Sequence, residues 1–165
     1  LSKAYALPCL RLGWAVGPAP LIADLWERKA YLSIAPSSLS DALGRLAVRP
    51  DVRPRILART RGIVNAALPV LSEWIATHGP GFRFVPPRAG AFAFPRYSWP
   101  INSTRLMERL RDEESLLVVP GDQFGMDGFL RIGLGSAPDE LRADLARIDK
   151  VLATLGAAPG FGEGR

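Results

Sequence analysis

The sequence predicts an α/β protein that continues into a smaller α+β region, and three observations carry that prediction. A short apolar stretch at residues 10–16 precedes a segment with helical spacing, one long helical pattern runs from residue 51 to 77, and short apolar runs alternate with helices after residue 80. Strand followed by helix is the unit of an α/β layer, whereas mixed short elements suit an α+β lobe.

Residues 10–16 read as a buried strand, because they are nearly uncharged and Gly17-Pro18 closes them. Residues 20–32 follow as a helix with Leu21, Ile22, Leu25 and Trp26 at helical spacing and Pro20 in its first turn. Residues 38–48 form a second helix, with Leu39, Leu43 and Leu46 on one face and Ser38 or Ser40 as the cap. Asp51 is placed to cap the long helix, whose apolar positions Ile56, Ile63, Ala67, Val70 and Trp74 recur at the helical period. Pro69 lacks a donor and is expected to kink it. His78-Gly79-Pro80-Gly81 ends it.

The pattern then shortens. Strands are expected at 82–85, 90–94, 116–119 and 129–134, with a glycine-rich loop at 120–128. Asn102 or Ser103 caps a helix running to residue 113 with Leu106, Met107 and Leu110 inward. Ser136 caps the last helix, where Leu141, Leu145, Ile148, Leu152 and Leu155 make the buried stripe and Gly156 the stop. Residues 157–165 read as a disordered tail.

Composition is that of a soluble globular protein, with 165 residues, 48% hydrophobic and 22% charged. No run reaches the eighteen or so apolar residues of a membrane span, and no charged-then-apolar leader opens the chain. A cytoplasmic location is the default expectation. Cys9 is the single cysteine and His78 the single histidine, so neither an internal disulfide nor a structural zinc site is expected. The net charge of +5 comes from 18 arginines and three lysines against 16 acidic residues. Arg45, Arg49, Arg53, Arg55, Arg59 and Arg61 are interleaved with apolar helical positions and lack stacking aromatics, which argues against nucleic-acid binding.

The densest chemical signal is Leu1-Ser2-Lys3-Ala4-Tyr5-Ala6-Leu7-Pro8-Cys9-Leu10-Arg11, a Ser-Lys pair with an arginine eight positions after the lysine. A lysine desolvated near other cations loses its proton readily and can trap an aldehyde covalently, whereas arginine stays charged and offers a planar fork to a phosphate. Taken alone, Lys3 reads as a solvated surface lysine, and Arg11 reads equally as a strand-end arginine paired with a surface carboxylate. Three further blocks follow: Pro87-Arg88-Ala89-Gly90-Ala91-Phe92-Ala93-Phe94, Val118-Val119-Pro120-Gly121-Asp122-Gln123-Phe124-Gly125, and Gly128-Phe129-Leu130-Arg131-Ile132-Gly133. In order and spacing the four blocks resemble class I/II aminotransferases, the fold type I enzymes that use pyridoxal 5'-phosphate (PLP).

That resemblance covers nearly the whole chain and implies a C-terminal part of a longer polypeptide. It implies the end of the PLP-binding large domain at 1–48, a long interdomain helix at 49–79 and a small α+β domain at 80–156. Lys3 is then the Schiff-base lysine and the proton carrier at the substrate α-carbon, and Arg11 grips the cofactor phosphate. Ser2 either helps at the phosphate or simply turns the backbone. Cys9 reads as packing, and Tyr5, His78 and the four tryptophans as packing or surface residues.

Arg131 sits within an apolar strand, where burying a guanidinium costs several kcal/mol unless an anion meets it. The matching arginine of the family forks onto the substrate α-carboxylate; a structural salt bridge is the alternative. The implied reaction moves an amino group between an L-amino acid and a 2-oxo acid in a homodimer, and the isolated chain is expected to be inactive. Residues 31–40 contain no arginine to hold a second carboxylate, which disfavours a dicarboxylate substrate. Segments 31–41 and 124–128 are similar to a capreomycidine synthase-like branch, which implies elimination and cyclisation on an arginine derivative. A third alternative is the effector domain of an aminotransferase-like transcriptional regulator.

Overall fold

The computed structural model describes residues 1–161 and resolves the chain into two units, Leu1–Arg61 and Gly62 onward. The boundary falls inside the long helix α3 (Arg53–Thr77), which runs through Pro69 as one element.

The first unit contains a 3₁₀ turn at Pro8–Leu10 and helices α1 (Ala19–Leu32) and α2 (Ser38–Ala47), followed by the start of α3. Both helices fall where their periodicity predicts. The strand expected at 10–16 does not form. Trp14 and Val16 are 65% and 91% exposed, and a buried strand needs hydrogen-bonded neighbours that no described residue supplies. Within this unit only Tyr5, Gly44 and Ala47 are buried, so the apolar stripes of α1 and α2 face solvent. Two caps also differ. Ser37 precedes α2 without a side-chain cap bond, and Asp51 has both carboxylate oxygens on Arg49, at 3.0 and 2.7 Å, rather than on α3.

The second unit carries the core. Its strands are short: β1 (Phe82–Arg83), β2 (Phe92–Ala93), β3 (Arg96–Tyr97), β4 (Val119–Pro120) and β5 (Leu130–Gly133). β1 pairs antiparallel with β3, and β5 lies between β2 and β4, antiparallel to both. Helices α4 (Ser103–Glu114) and α5 (Pro138–Thr154) pack on each other, with Lys150 on Glu114 at 2.7 Å. Leu106 and Leu110 of α4, Leu130 and Ile132 of β5, Leu145 and Ile148 of α5, and Leu71 of α3 form one cluster. Each fully buried side chain of this kind contributes about 1.5–3 kcal/mol. Strand β3, which the sequence reading missed, places Tyr97 in this core.

Asn102, rather than Ser103, caps α4, accepting from the Thr104 and Arg105 amides at 3.0 and 3.3 Å. Two carboxylates of the β4–β5 connection join it. Asp127 accepts from the Ser103 amide at 2.7 Å, and Asp122 accepts from the Thr104 hydroxyl at 2.8 Å. These bonds hold Asp127 and Asp122 below the usual carboxylate range, the Ser103 amide being the main cause for Asp127 and the Thr104 hydroxyl for Asp122. Burial first, and then the charges of Asp127 and Asp122, push the Tyr97 phenol above its ordinary value. At α5 the helix starts after Ala137 rather than with Ser136 as its cap. Of the tail expected from residue 157, Ala158 packs against the core and Phe161 lies under Arg83 and Arg96; residues 162–165 lie outside the described residues.

Gly121 opens the same connection at a point of close approach. A Cβ there would stand 2.7 Å from Phe129 Cβ and 2.8 Å from the Phe129 carbonyl, which are backbone-fixed neighbours. Gly121→Ala is therefore expected to lower unfolding stability by about 3 kcal/mol or more, whereas Gly62→Ala, in open space on α3, should raise it by about 0.5–1 kcal/mol. Denaturant titration checks both. The pH dependence has a defined sign. Because the folded state lowers Asp122 and Asp127 from 3.8, their contribution is fully present above that value and is lost as pH falls through the lowered folded values. Asp127→Asn should flatten stability against pH below about 4 and leave the slope near neutrality unchanged.

Candidate active site

The first twelve residues form a closed loop that does not lead into the expected strand. The Leu1 backbone nitrogen donates to the Leu12 carbonyl at 2.9 Å, the Leu7 amide donates to the Leu1 carbonyl at 3.2 Å, and the Ala6 amide donates to the Lys3 carbonyl at 3.0 Å. Lys3 and Arg11 thus project from the two limbs of one loop. Ala6 and Arg11 both adopt left-handed backbone with φ of 50°, a conformation that costs roughly 1–3 kcal/mol for a residue with a Cβ.

Packing offsets that strain. Tyr5 is buried; its hydroxyl accepts from Arg53 Nε at 2.9 Å and its carbonyl from Arg59 Nη2 at 3.2 Å, which anchors the loop to the start of α3. Leu12 occupies the space that a side chain at Gly44 of α2 would need, with Leu1 beside it. The reading of Tyr5 as a packing residue holds, with the addition that it fixes the segment carrying Lys3.

Lys3 is exposed and its Nζ has no hydrogen bond or ion pair among the described residues. Arg11 is exposed and donates through Nη1 to the Pro8 carbonyl at 3.0 Å, leaving its other donors open and meeting no carboxylate among the described residues. Ser2 is half-buried. Cys9, read from sequence as a packing residue, is exposed. An unpaired amine, an uncommitted guanidinium and a nearby hydroxyl on one loop fit a group that combines an aldehyde with a phosphate.

Arg131 belongs to the second unit. Strand alternation turns Leu130 and Ile132 into the core and puts Arg131 on the opposite face, half-buried, so the guanidinium is not enclosed between its apolar chain neighbours as the sequence suggested. It opposes Val119 of β4. No carboxylate pairs with it among the described residues; Asp144, which lines the same hollow of about 250 Å³, pairs with Arg147 at 3.5 Å. Arg131 Cζ lies 3.6 Å from the Phe92 ring centroid and 6.0 Å from that of Phe124. These rings were missed in the sequence, although the alternation Phe92-Ala93-Phe94 marks Phe92 as lying on the face opposite the core.

Against known proteins, the family model described as aminotransferase class I and II matches residues 1–148. Capreomycidine synthase of Streptomyces vinaceus is 37% identical over 93% of this chain, and the match spans 39% of that relative. Among solved structures, a PLP-dependent aminotransferase from Streptococcus suis superposes with a TM-score of 0.85 at 26% identity, covering 93% of this chain and 40% of that one. The PLP-dependent cyclase OrfR superposes with a TM-score of 0.84 at 26% identity, covering 93% and 41%. The chain thus spans about two fifths of the length of the proteins it matches and shares the mixed helix and strand fold of the fold type I enzymes. With its lysine loop and its β5 arginine both inside the matched residues, this chain belongs to the class I and II aminotransferase family.

Proposed function

We propose that the protein of which these residues form part is a PLP-dependent enzyme acting at the α-carbon of an L-amino acid, with transamination to a 2-oxo acid as its reaction. The observation that carries this reading is the uncommitted Lys3 amine on a closed loop shared with Arg11, inside the span matched by the family.

When bound, PLP supplies an electron sink for the pair left on the α-carbon as its proton departs. The residues do the rest. Lys3 would hold the cofactor through Nζ and would take the proton from the substrate α-carbon as a general base. Arg11 offers a permanently charged, planar set of donors to the phosphate, with the Ser2 hydroxyl as a neutral donor beside it. Arg131 forks onto the α-carboxylate, fixing which end of the amino acid faces the amine. A homodimer and a cytoplasmic location complete the reading.

A second reading is favoured by a specific finding. The 37% identity to a capreomycidine synthase and the likeness to a PLP-dependent cyclase support elimination and cyclisation on an arginine derivative as the outcome of the same proton removal. Both reactions use the same lysine and the same carboxylate fork, so those residues do not separate them.

Two measurements test these readings. Borohydride reduction of the full-length protein with PLP should leave the pyridoxyl mass on the peptide containing Lys3, and Lys3→Ala should abolish turnover by 10³-fold or more, as an order-of-magnitude expectation for a covalent catalyst. Labelling at Lys29 or Lys150, or turnover by the Lys3→Ala protein, contradicts the assignment. Supplying an amino acid with ¹⁵N at its α-amine then divides the reactions: transfer of the label to an added 2-oxo acid marks transamination, and retention in a cyclic product marks cyclisation.

A further inference from the structure

We propose that Phe92 is a positioning residue for Arg131, holding the guanidinium flat so that its in-plane donors face a single carboxylate. The proposal rests on the reading of Arg131 as the carboxylate anchor and adds what aims it.

Distance decides the orientation. The 3.6 Å between Arg131 Cζ and the Phe92 centroid is a contact spacing between stacked groups, for which the optimum is about 3.5–4.0 Å. A guanidinium pointing an N–H into the ring would add a C–N bond of about 1.3 Å to that contact and hold Cζ near 5 Å. The group therefore lies face-on. A face-on stack uses the π surface and leaves all five N–H donors in the plane, where a bidentate carboxylate needs them. No protein acceptor takes these donors among the described residues.

The sheet register explains how the two meet. Phe92 of β2 opposes Gly133 of β5, two residues beyond Arg131, so Phe92 and Arg131 are diagonal neighbours on the face turned away from the core. Gly133 has no side chain to stand between them, and a Cβ built there would have nothing within 4 Å. The ring can lean along the strand toward the guanidinium without a rival. On the other side Arg131 opposes Val119 of β4, and Phe124 at 6.0 Å adds a weak contact at the limit of cation–π range. Phe92 is 42% exposed, so the core does not account for its aromatic character. Among the described residues Asp144 is the one carboxylate lining the same hollow, and it is engaged with Arg147.

The test uses the full-length protein loaded with PLP and reads binding as well as turnover. Dissociation constants for the amino-acid substrate and for the corresponding amine lacking the carboxylate are measured by spectral titration in wild type, Phe92→Leu, Phe92→Tyr and Arg131→Lys. A cation–π contact is worth about 2- to 30-fold in binding. Phe92→Leu should therefore weaken the amino acid by roughly tenfold within that range, leave the amine within twofold and change kcat by less than KM, while Phe92→Tyr, which keeps the ring, stays near wild type. Proton NMR should also show the Arg131 side-chain protons losing an upfield ring-current shift in Phe92→Leu. If Arg131→Lys abolishes the preference for the amino acid over the amine but Phe92→Leu leaves it intact, the positioning role is overturned and the anchor stands. If Arg131→Lys leaves the preference unchanged, the anchor falls and the proposal with it. Equal weakening of amine and amino acid in Phe92→Leu would mark general damage to the unit and also overturn the positioning role.

Discussion

The second unit depends on the two-residue repeat of β5. Four residues between β2 and β4 must turn Leu130 and Ile132 into the core that α4 and α5 cover, and the same alternation leaves Arg131 and Gly133 on the other face. A slip of one residue would bury a guanidinium and expose a leucine and an isoleucine. Register is therefore fixed by burial, and the position of Arg131 is fixed with it. The connection into β5 is pinned at Gly121 by close backbone approach and at Asp122 and Asp127 by the α4 cap, so the helix end, the loop and the strand act as one piece.

The first unit is organised by hydrogen bonds more than by a core. A loop closed between Leu1 and Leu12 holds two left-handed residues, and its one buried aromatic, Tyr5, is tied to Arg53 and Arg59. The apolar side chains of α1 and α2 contribute little burial within the unit, with Trp26 and Tyr31 at 76% and 92% exposure. Strain in a short segment persists where the surroundings over-determine it, and the Tyr5 anchor does that for the segment bearing Lys3.

Helices were legible in the sequence because their signal is long. All five fall where periodicity of 3.6 places them, and Asn102 is the one of the two offered caps, Asn102 or Ser103, that makes the cap bonds of α4. Strands of two residues carry too little pattern: β3 went unseen, and 10–16, a continuous apolar run, was taken for a strand because composition resembles one even where no partner strand is available. The expected caps Ser38, Ser40, Asp51 and Ser136 each have the right chemistry and lie within two positions of the first residue of a helix, yet none makes the cap bond. Competition with a nearer partner, as Arg49 competes for Asp51, is not visible in a linear sequence.

For the candidate site, residue identity was readable and environment was not. Lys3 and Arg11 stood out by their spacing, and the structure adds the closed loop that carries both. Arg131 stood out as a charge in an apolar run, yet its neighbours Phe92 and Phe124 come from segments about 40 and 7 residues away in the chain, which only register brings together. The most direct measurement of the account is a crystal structure of the full-length protein with PLP and an unreactive amino-acid analogue. The account predicts the cofactor joined to Lys3 or facing its Nζ, its phosphate on Arg11 and the analogue carboxylate forked on Arg131. A cofactor phosphate held without Arg11, or a carboxylate bound elsewhere while Arg131 pairs with Asp144, would contradict it.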